Sequence, residues 1–147
     1  DKIIAHVAFV RAKITADDGK IIPIMTFGPL SVSPEYQRQG YGKALLDHAI
    51  EKAAELGVGA LCMEGNIDFY SHCGFDVASK RGIHYYAEPR ENEVPYFLLR
   101  ELKSGCLDGV TGTYHTPDGY FVDEEAAEEF DKEFPPKRKL KLPGQLG

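Results

Sequence analysis

The segment Gly28-Pro-Leu-Ser-Val-Ser-Pro-Glu-Tyr-Gln-Arg-Gln-Gly-Tyr-Gly-Lys43 constrains this chain more than any other. A strand-forming stretch runs into two closely spaced glycines, and an amphipathic helical pattern begins directly behind them. That order leaves the first helical amides without intrahelical partners at the positive end of the macrodipole, a site suited to phosphate oxygens. The backbone amides of Gln39, Gly40, Tyr41, Gly42 and Lys43 are the expected pyrophosphate cradle, and Arg38 is expected to add a charge-assisted contact.

Spacing excludes two commoner phosphate loops. A nucleoside-triphosphate loop needs four residues between its first Gly and a Gly-Lys-Ser/Thr, whereas here Gly42-Lys43 is followed by Ala44 and only Tyr41 separates the glycines. The dinucleotide fingerprint requires a third Gly or Ala three residues after the second, and that position is Leu45.

The loop that fits is Q/R-x-x-G-x-G/A, matched by Gln37-Arg38-Gln39-Gly40-Tyr41-Gly42. At this point the chain resembles the acetyl-CoA-dependent N-acetyltransferases of the GNAT superfamily. A second segment, Glu64-Gly-Asn-Ile-Asp-Phe-Tyr-Ser-His-Cys-Gly-Phe75, is similar to the family's Asn, Tyr, Gly-Phe motif through Asn66, Tyr70, Gly74 and Phe75. The resemblance runs from about Lys2 to Glu101. It implies an α/β acyl-CoA N-acyltransferase fold, a mixed and mostly antiparallel sheet flanked by helices, in which two strands part to admit acetyl-CoA. Family members usually begin with a strand, two helices and another strand. This chain opens at Asp1 in what corresponds to the third strand, so the resemblance implies an N-terminally truncated fold lacking the elements that usually wall the acceptor site.

Acyl transfer from a thioester to an amine needs a held donor, a polarised carbonyl, a neutral amine and a proton for the departing thiolate. Pro29 has no N–H and belongs where a ladder is interrupted or bulged. The resemblance places backbone groups of Leu30 and Val32 on the pantetheine arm there, with Gln37 in the loop and Asn66 as a further arm contact. It makes Tyr70 the general acid, since a phenol with an ordinary pKa of about 10 keeps its proton at neutral pH. Glu64, at a strand end, is the candidate base. Glu35 is read as fixing the turn after Pro34. Cys73 has no visible His or Asp partner and reads as packing, in keeping with direct transfer in a ternary complex. The expected reaction is acetylation of a primary amine on a small molecule or peptide. A non-catalytic acyl-CoA sensor or scaffold module is the alternative.

Composition narrows the partners. The formal charge is −6, and phosphate neutralisation along a nucleic acid needs clustered Lys and Arg, so no nucleic-acid partner is expected. The basic cluster Lys137-Arg-Lys-Leu-Lys141 reads as a solvated terminus. Three cysteines without paired spacing argue for a reducing, cytoplasmic setting and against zinc, and five histidines show no ligand spacing, so no metal is expected. No apolar run approaches the roughly 20 residues of a membrane span, and an incomplete sheet edge would favour a homodimer.

Along the chain, Lys2 to Val10 reads as an interior strand, Ala16 to Lys20 as a turn, and Ile21 to Ser31 as the second arm of a hairpin. A helix is expected over Gly42–Leu56 with Gly57 ending it, a buried strand over Val58–Met63, a brief helix over Asn66–Cys73, and strands from Phe75 and over Tyr96–Leu102. Residues 1–102 form the expected core. Residues 103–147 are expected to pack on the same domain as an extension, with a small hairpin over Gly109–Tyr120 and a helix over Asp123–Phe134 capped by Asp123.

Overall fold

The computed structural model describes residues 1–138. The last part of the basic cluster, Lys139 to Lys141, lies outside the described residues.

A long hairpin anchors the architecture. β-branched and aromatic residues at high density favour extended backbone, and β1 (Ala5–Ala16) and β2 (Ile21–Val32) pair antiparallel across the expected turn. Gly19 takes φ 88° there, which a residue with a Cβ adopts only under strain. The register runs evenly from Thr15↔Ile21 to Phe9↔Phe27 and then shifts, so that Val7 meets Leu30 and Ala8 alone opposes Gly28 and Pro29. The bulge falls where Pro29 cannot supply a ladder donor.

The glycine loop then leads into α1 (Tyr41–Glu55), which buries Leu46, Ile50 and Ala53 along one stripe and ends before Gly57, in the left-handed region at φ 85°. Next come β3 (Ala60–Glu64), the one-turn α2 (Ile67–Tyr70) with a tight turn over Ser71–Cys73, β4 (Asp76–Val77), β5 (Ile83–Tyr85), β6 (Phe97–Glu101) and β7 (Gly112–Tyr114). The seven strands form one sheet in the order β4-β6-β3-β2-β1-β7-β5. Only β2–β3 and β5–β7 are parallel, so the sheet is mixed and mostly antiparallel, as expected.

The region Gly109–Tyr120 corrects the expected small hairpin. Its single strand, β7, inserts between β1 and β5 and pairs with Ile14, Thr15 and Ala16 on one side. Gly112 permits this closeness, because a Cβ there would stand 2.5 Å from the Thr15 carbonyl oxygen.

The sheet separates two apolar layers. On one face Phe27, Leu46, Ile50, Leu61, Met63, Phe75 and Leu98 pack beneath α1. On the other, Ile14, Ile24, Ala60, Cys62, Phe97 and Leu99 pack with Ile83, Tyr85, Leu107 and Tyr114 from the later segments. Residues 103–116 thus contribute to the core, and the compact units divide between Thr116 and Pro117. In the second unit α3 (Glu124–Asp131) is capped by Asp123, whose Oδ1 accepts from the Ala126 amide at 3.0 Å. Phe130 and Phe134 lie against each other with ring centroids 5.1 Å apart.

A polar clasp ties the hairpin turn to the loop before β6. Arg90 donates to both Asp17 carboxylate oxygens and to Thr113 Oγ1, and Thr111 Oγ1 donates to Asp17 at 2.7 Å. These bonds, with Arg90 first, lower the Asp17 pKa from 3.8 to about 2. A depressed acid contributes stability that is complete above 3.8 and lost as pH falls toward about 2. Asp17→Asn is therefore expected to flatten the fall in stability across that window, a change that urea unfolding at stepped pH would detect.

Candidate active site

The loop after β2 is built to keep its shape. Residues Pro34–Tyr36 form a 3₁₀ turn started by Pro34. Gln37 Nε2 donates to the Val32 carbonyl at 2.9 Å and Gln39 Nε2 to the Glu35 carbonyl at 3.0 Å. Between these two ties Arg38 sits at φ 60°, the only non-glycine residue with positive φ among the described residues. Side chains that bond backward to the backbone hold this unfavourable conformation, and the Arg38 side chain stays exposed and makes no ion pair among the described residues. Glu35 is engaged elsewhere, by Lys2 at 2.6 Å, and that bond lowers its pKa.

Gly40, at φ 87°, is the helix N-cap and offers no capping side chain. The first amide to close the helix is that of Ala44, which donates to the Gly40 carbonyl at 3.0 Å. The amides of Tyr41, Gly42 and Lys43 precede it and have no intrahelical acceptor. A Cβ on Gly42 would lie 3.4 Å from Val32 Cγ2, so the helix start is packed directly on the end of β2. The Lys43 ammonium pairs with Asp47 along the helix, which raises its pKa. The expected cradle residues are therefore brought together, with amides free to receive an anion. At Lys43 the backbone amide faces this start while the side chain pairs with Asp47.

Beside the cradle the sheet opens. β2 and β3 form a ladder pair at one position only, Met25 opposite Leu61, and run on as neighbours without further ladder pairs. The Ser33 amide donates to the Ile4 carbonyl at 2.8 Å. By strand alternation Ser31 then also points its backbone groups at β1, which leaves the N–H and C=O of Leu30 and the N–H of Val32 facing the open side, the Val32 carbonyl being bonded by Gln37. An amide-bearing chain laid along that edge would find strand-like partners there.

Tyr70 and Glu64 flank this opening on opposite faces of the sheet. The Tyr70 ring packs among Phe27, Phe69 and Phe75 with centroids 4.9 to 5.9 Å away, on the α1 side. It packs against Gly65, where a Cβ would overlap the ring and would also stand 2.8 Å from the Met63 methyl. Burial first, and the neighbouring Cys73 second, push the Tyr70 phenol up, so its proton is held firmly. Glu64 ends β3 opposite Phe97 and shares the face of Ala60 and Cys62. Its carboxylate adds to burial in pushing the Tyr85 phenol up. Asn66 caps α2, its Oδ1 accepting from the Asp68 amide at 2.9 Å, and the residue is exposed.

Cys73 is buried, and burial leads the causes that push its thiol up. Arg100 donates to its carbonyl at 2.6 Å. Among the described residues no group of His, Cys, Asp and Glu is arranged to hold a metal, and no helix is long and apolar enough to cross a membrane. An apolar groove of about 400 Å³ between Arg11, Pro23, Met25 and Leu56 contains none of the site residues expected from the sequence.

The Gly-rich cradle, the parted strands and the tyrosine beyond them coincide with a family-level match. Residues 1–77, just over half of the chain, match the model of the acetyltransferase (GNAT) domain. The chain belongs to the GNAT acetyltransferase family. Among relatives of this GNAT chain, the [ribosomal protein bS18]-alanine N-acetyltransferase of Escherichia coli is 33% identical over 84 residues, covering 53% of each protein. The uncharacterized N-acetyltransferase YhbS of the same organism is 27% identical over 116 residues, 78% of this chain and 66% of the relative. The GNAT chain thus spans between about half and two thirds of the curated relatives it matches.

Solved structures agree on the fold. YhbS in complex with CoA superimposes with a TM-score of 0.69 at 24% identity, over 80% of this GNAT chain and 62% of that one. A Brucella melitensis GNAT acetyltransferase in complex with acetyl-CoA does so with a TM-score of 0.59 at 18% identity, over 82% and 62%.

Sequence reasoning missed one part of the site. Tyr85 and Tyr96, on which the Glu64 carboxylate acts, and Glu88, which Tyr96 bonds, lie in and after a three-residue strand, β5, that is too short for periodicity to reveal. The run Ile-His-Tyr-Tyr from Ile83 to Tyr86 was the available signal.

Proposed function

We propose that this GNAT domain transfers an acetyl group from acetyl-CoA directly to a primary amine in a ternary complex. The observation that carries the reading is the single-pair contact between β2 and β3, with a protonated phenol on one face of the opening and a carboxylate on the other.

Acetyl-CoA supplies the activated acyl group. The chain's own residues do the rest. Amides of Gln39, Gly40, Tyr41, Gly42 and Lys43, with the Arg38 guanidinium, bind pyrophosphate, where unpaired N–H groups and a fixed positive charge need no rearrangement. Backbone groups of Leu30 and Val32 and the Asn66 side chain position the arm, and Gln37 holds the strand end in register with the loop. Glu64 accepts a proton from the ammonium of the acceptor, restoring its lone pair, and Tyr70 donates its proton to the departing thiolate. The buried, protonated Cys73 supports transfer without a covalent enzyme intermediate.

The test is calorimetric titration of acetyl-CoA into the chain, followed by turnover on a panel of primary amines. Arg38→Ala is expected to weaken acetyl-CoA by about tenfold, the worth of one charge-assisted contact, and the loss should shrink as salt is raised. Absence of binding would overturn the reading. Binding without turnover of any amine would favour an acyl-CoA sensor or scaffold.

A further inference from the structure

Glu64 ends β3 with its side chain exposed, and no ion pair among the described residues restrains it. A glutamate has three rotatable bonds and, left alone, spreads over many rotamers. A base that must meet an ammonium at one place gains from being held. The backbone beneath it is fixed already: Glu64 pairs with Phe97 of β6, and the Gly65 amide donates to the Tyr96 carbonyl at 2.9 Å. What the strand leaves free is the carboxylate.

The Tyr85 hydroxyl supplies the missing restraint. It shares a hydrogen bond with the Glu64 carboxylate and lies 3.4 Å from Thr116 Oγ1. An ionised carboxylate only accepts, and a phenol has one proton to give, so the Tyr85 proton goes to Glu64 and the Thr116 hydroxyl donates to the phenol oxygen. The ring that carries this hydroxyl is locked. Tyr85 is buried, with the centroids of Tyr86, Tyr96, Phe97 and Tyr114 between 5.0 and 6.4 Å from its own, and it is the strand partner of Tyr114 across β5 and β7. Burial leads the causes that push its phenol up, which makes it a donor at neutral pH. A neutral donor orients a carboxylate without cancelling its charge, as a lysine or arginine in the same place would do, and the remaining lone pairs stay open to an ammonium.

We infer that Tyr85 is the positioning residue of the proposed base: its hydroxyl donates to Glu64 and holds the carboxylate in one orientation, so that proton abstraction from the acceptor depends on a buried residue behind it. The inference rests on the acetyl-transfer reading, which makes Glu64 the base. Two phenols on opposite faces of the sheet then have unlike tasks, Tyr70 giving up its proton in the reaction and Tyr85 keeping its own.

The bond can be tested in the full chain without substrate, by NMR of tyrosine labelled at the ring Cζ. The Tyr85 resonance, assigned as the one lost in Tyr85→Phe, is expected to shift as pH passes through the carboxylate range, about 4, and to lose that shift in Glu64→Gln. Glu64 is exposed, so this substitution does not threaten the fold. The role is tested by kinetics on any accepted amine. Tyr85→Phe keeps the ring and its packing, and kcat/KM for the amine is expected to fall about tenfold, the worth of one bond to a charged group, while the affinity for acetyl-CoA on the other face stays as it was. In a Glu64→Gln background the same change should cost nothing further, because a residue acting through Glu64 has nothing left to position. A Tyr85 resonance indifferent to Glu64→Gln, wild-type kcat/KM in Tyr85→Phe, or an equal loss in the Glu64→Gln background would each overturn the inference. Full turnover in Glu64→Gln, or no turnover of any amine by the wild-type chain, would strike the acetyl-transfer reading itself, and the inference with it.

Discussion

Replacing Tyr70 with phenylalanine is expected to lower kcat by about 100- to 1,000-fold, the usual range for loss of a positioned proton donor, while acetyl-CoA binds as before. The substitution isolates the hydroxyl. The ring keeps its place among Phe27, Phe69 and Phe75 and against Gly65, because phenylalanine fills the same outline. The hydroxyl makes no hydrogen bond among the described residues, so its removal strands no partner and the stability of the fold should not fall. Burial raises the pKa of the phenol, which keeps it protonated at neutral pH and makes it a donor and not a base. Steady-state kinetics on any accepted amine, with a parallel acetyl-CoA titration, provide the check. A kcat equal to that of the wild type would remove Tyr70 from the mechanism.

The largest loss of stability is expected from Phe97→Ala, about 4 kcal/mol by urea unfolding, in the range for emptying a fully buried aromatic site. Phe97 has no exposed surface, and its ring meets Tyr85 at 5.3 Å and Tyr114 at 5.0 Å. It therefore joins β6 to both short strands at the far side of the sheet. It is also the strand partner of Glu64, so the cavity would open directly behind the proposed base. A loss below about 1 kcal/mol would mean that Tyr85 and Tyr114 can close the gap, and that this layer is less fixed than its packing indicates.

The donor half of the site was readable in the sequence because its parts are local. The cradle, its helix and the α2 turn each depend on residues within a few positions of one another: Gly40 and Gly42 for the turn, Leu46, Ile50 and Ala53 for the stripe, Gly74 for the stop. The periodicity put the helix over Gly42–Leu56, within one residue of the observed Tyr41–Glu55 at each end. The other face of the sheet was not readable, for the opposite reason. β7 owes its place to pairing with Ile14 to Ala16, roughly a hundred residues earlier, and composition could report only that Gly109–Tyr120 favoured extended backbone. The meeting of Tyr96 with Glu88 and of Glu64 with Tyr85 likewise depends on that long-range assembly, which no spacing rule encodes. The division between Thr116 and Pro117 follows from the same cause, since the strand that precedes it is held by the first hairpin.

The two faces of the sheet also draw their proposed roles from different stretches of the chain. Everything assigned to the donor lies between Leu30 and Phe75, whereas the walls around Glu64 come from Ile83 onward, and the sheet stands between them. On the proposed reading, changes in the later stretch can remodel the acceptor side while the thioester end is left untouched, provided that Leu98 and Arg100, which pack and bond on the donor face, are kept. A graft of residues 83–116 from one such chain onto the first 82 of another, with Leu98 and Arg100 retained, is expected to carry the acceptor preference with it and leave the affinity for the donor behind.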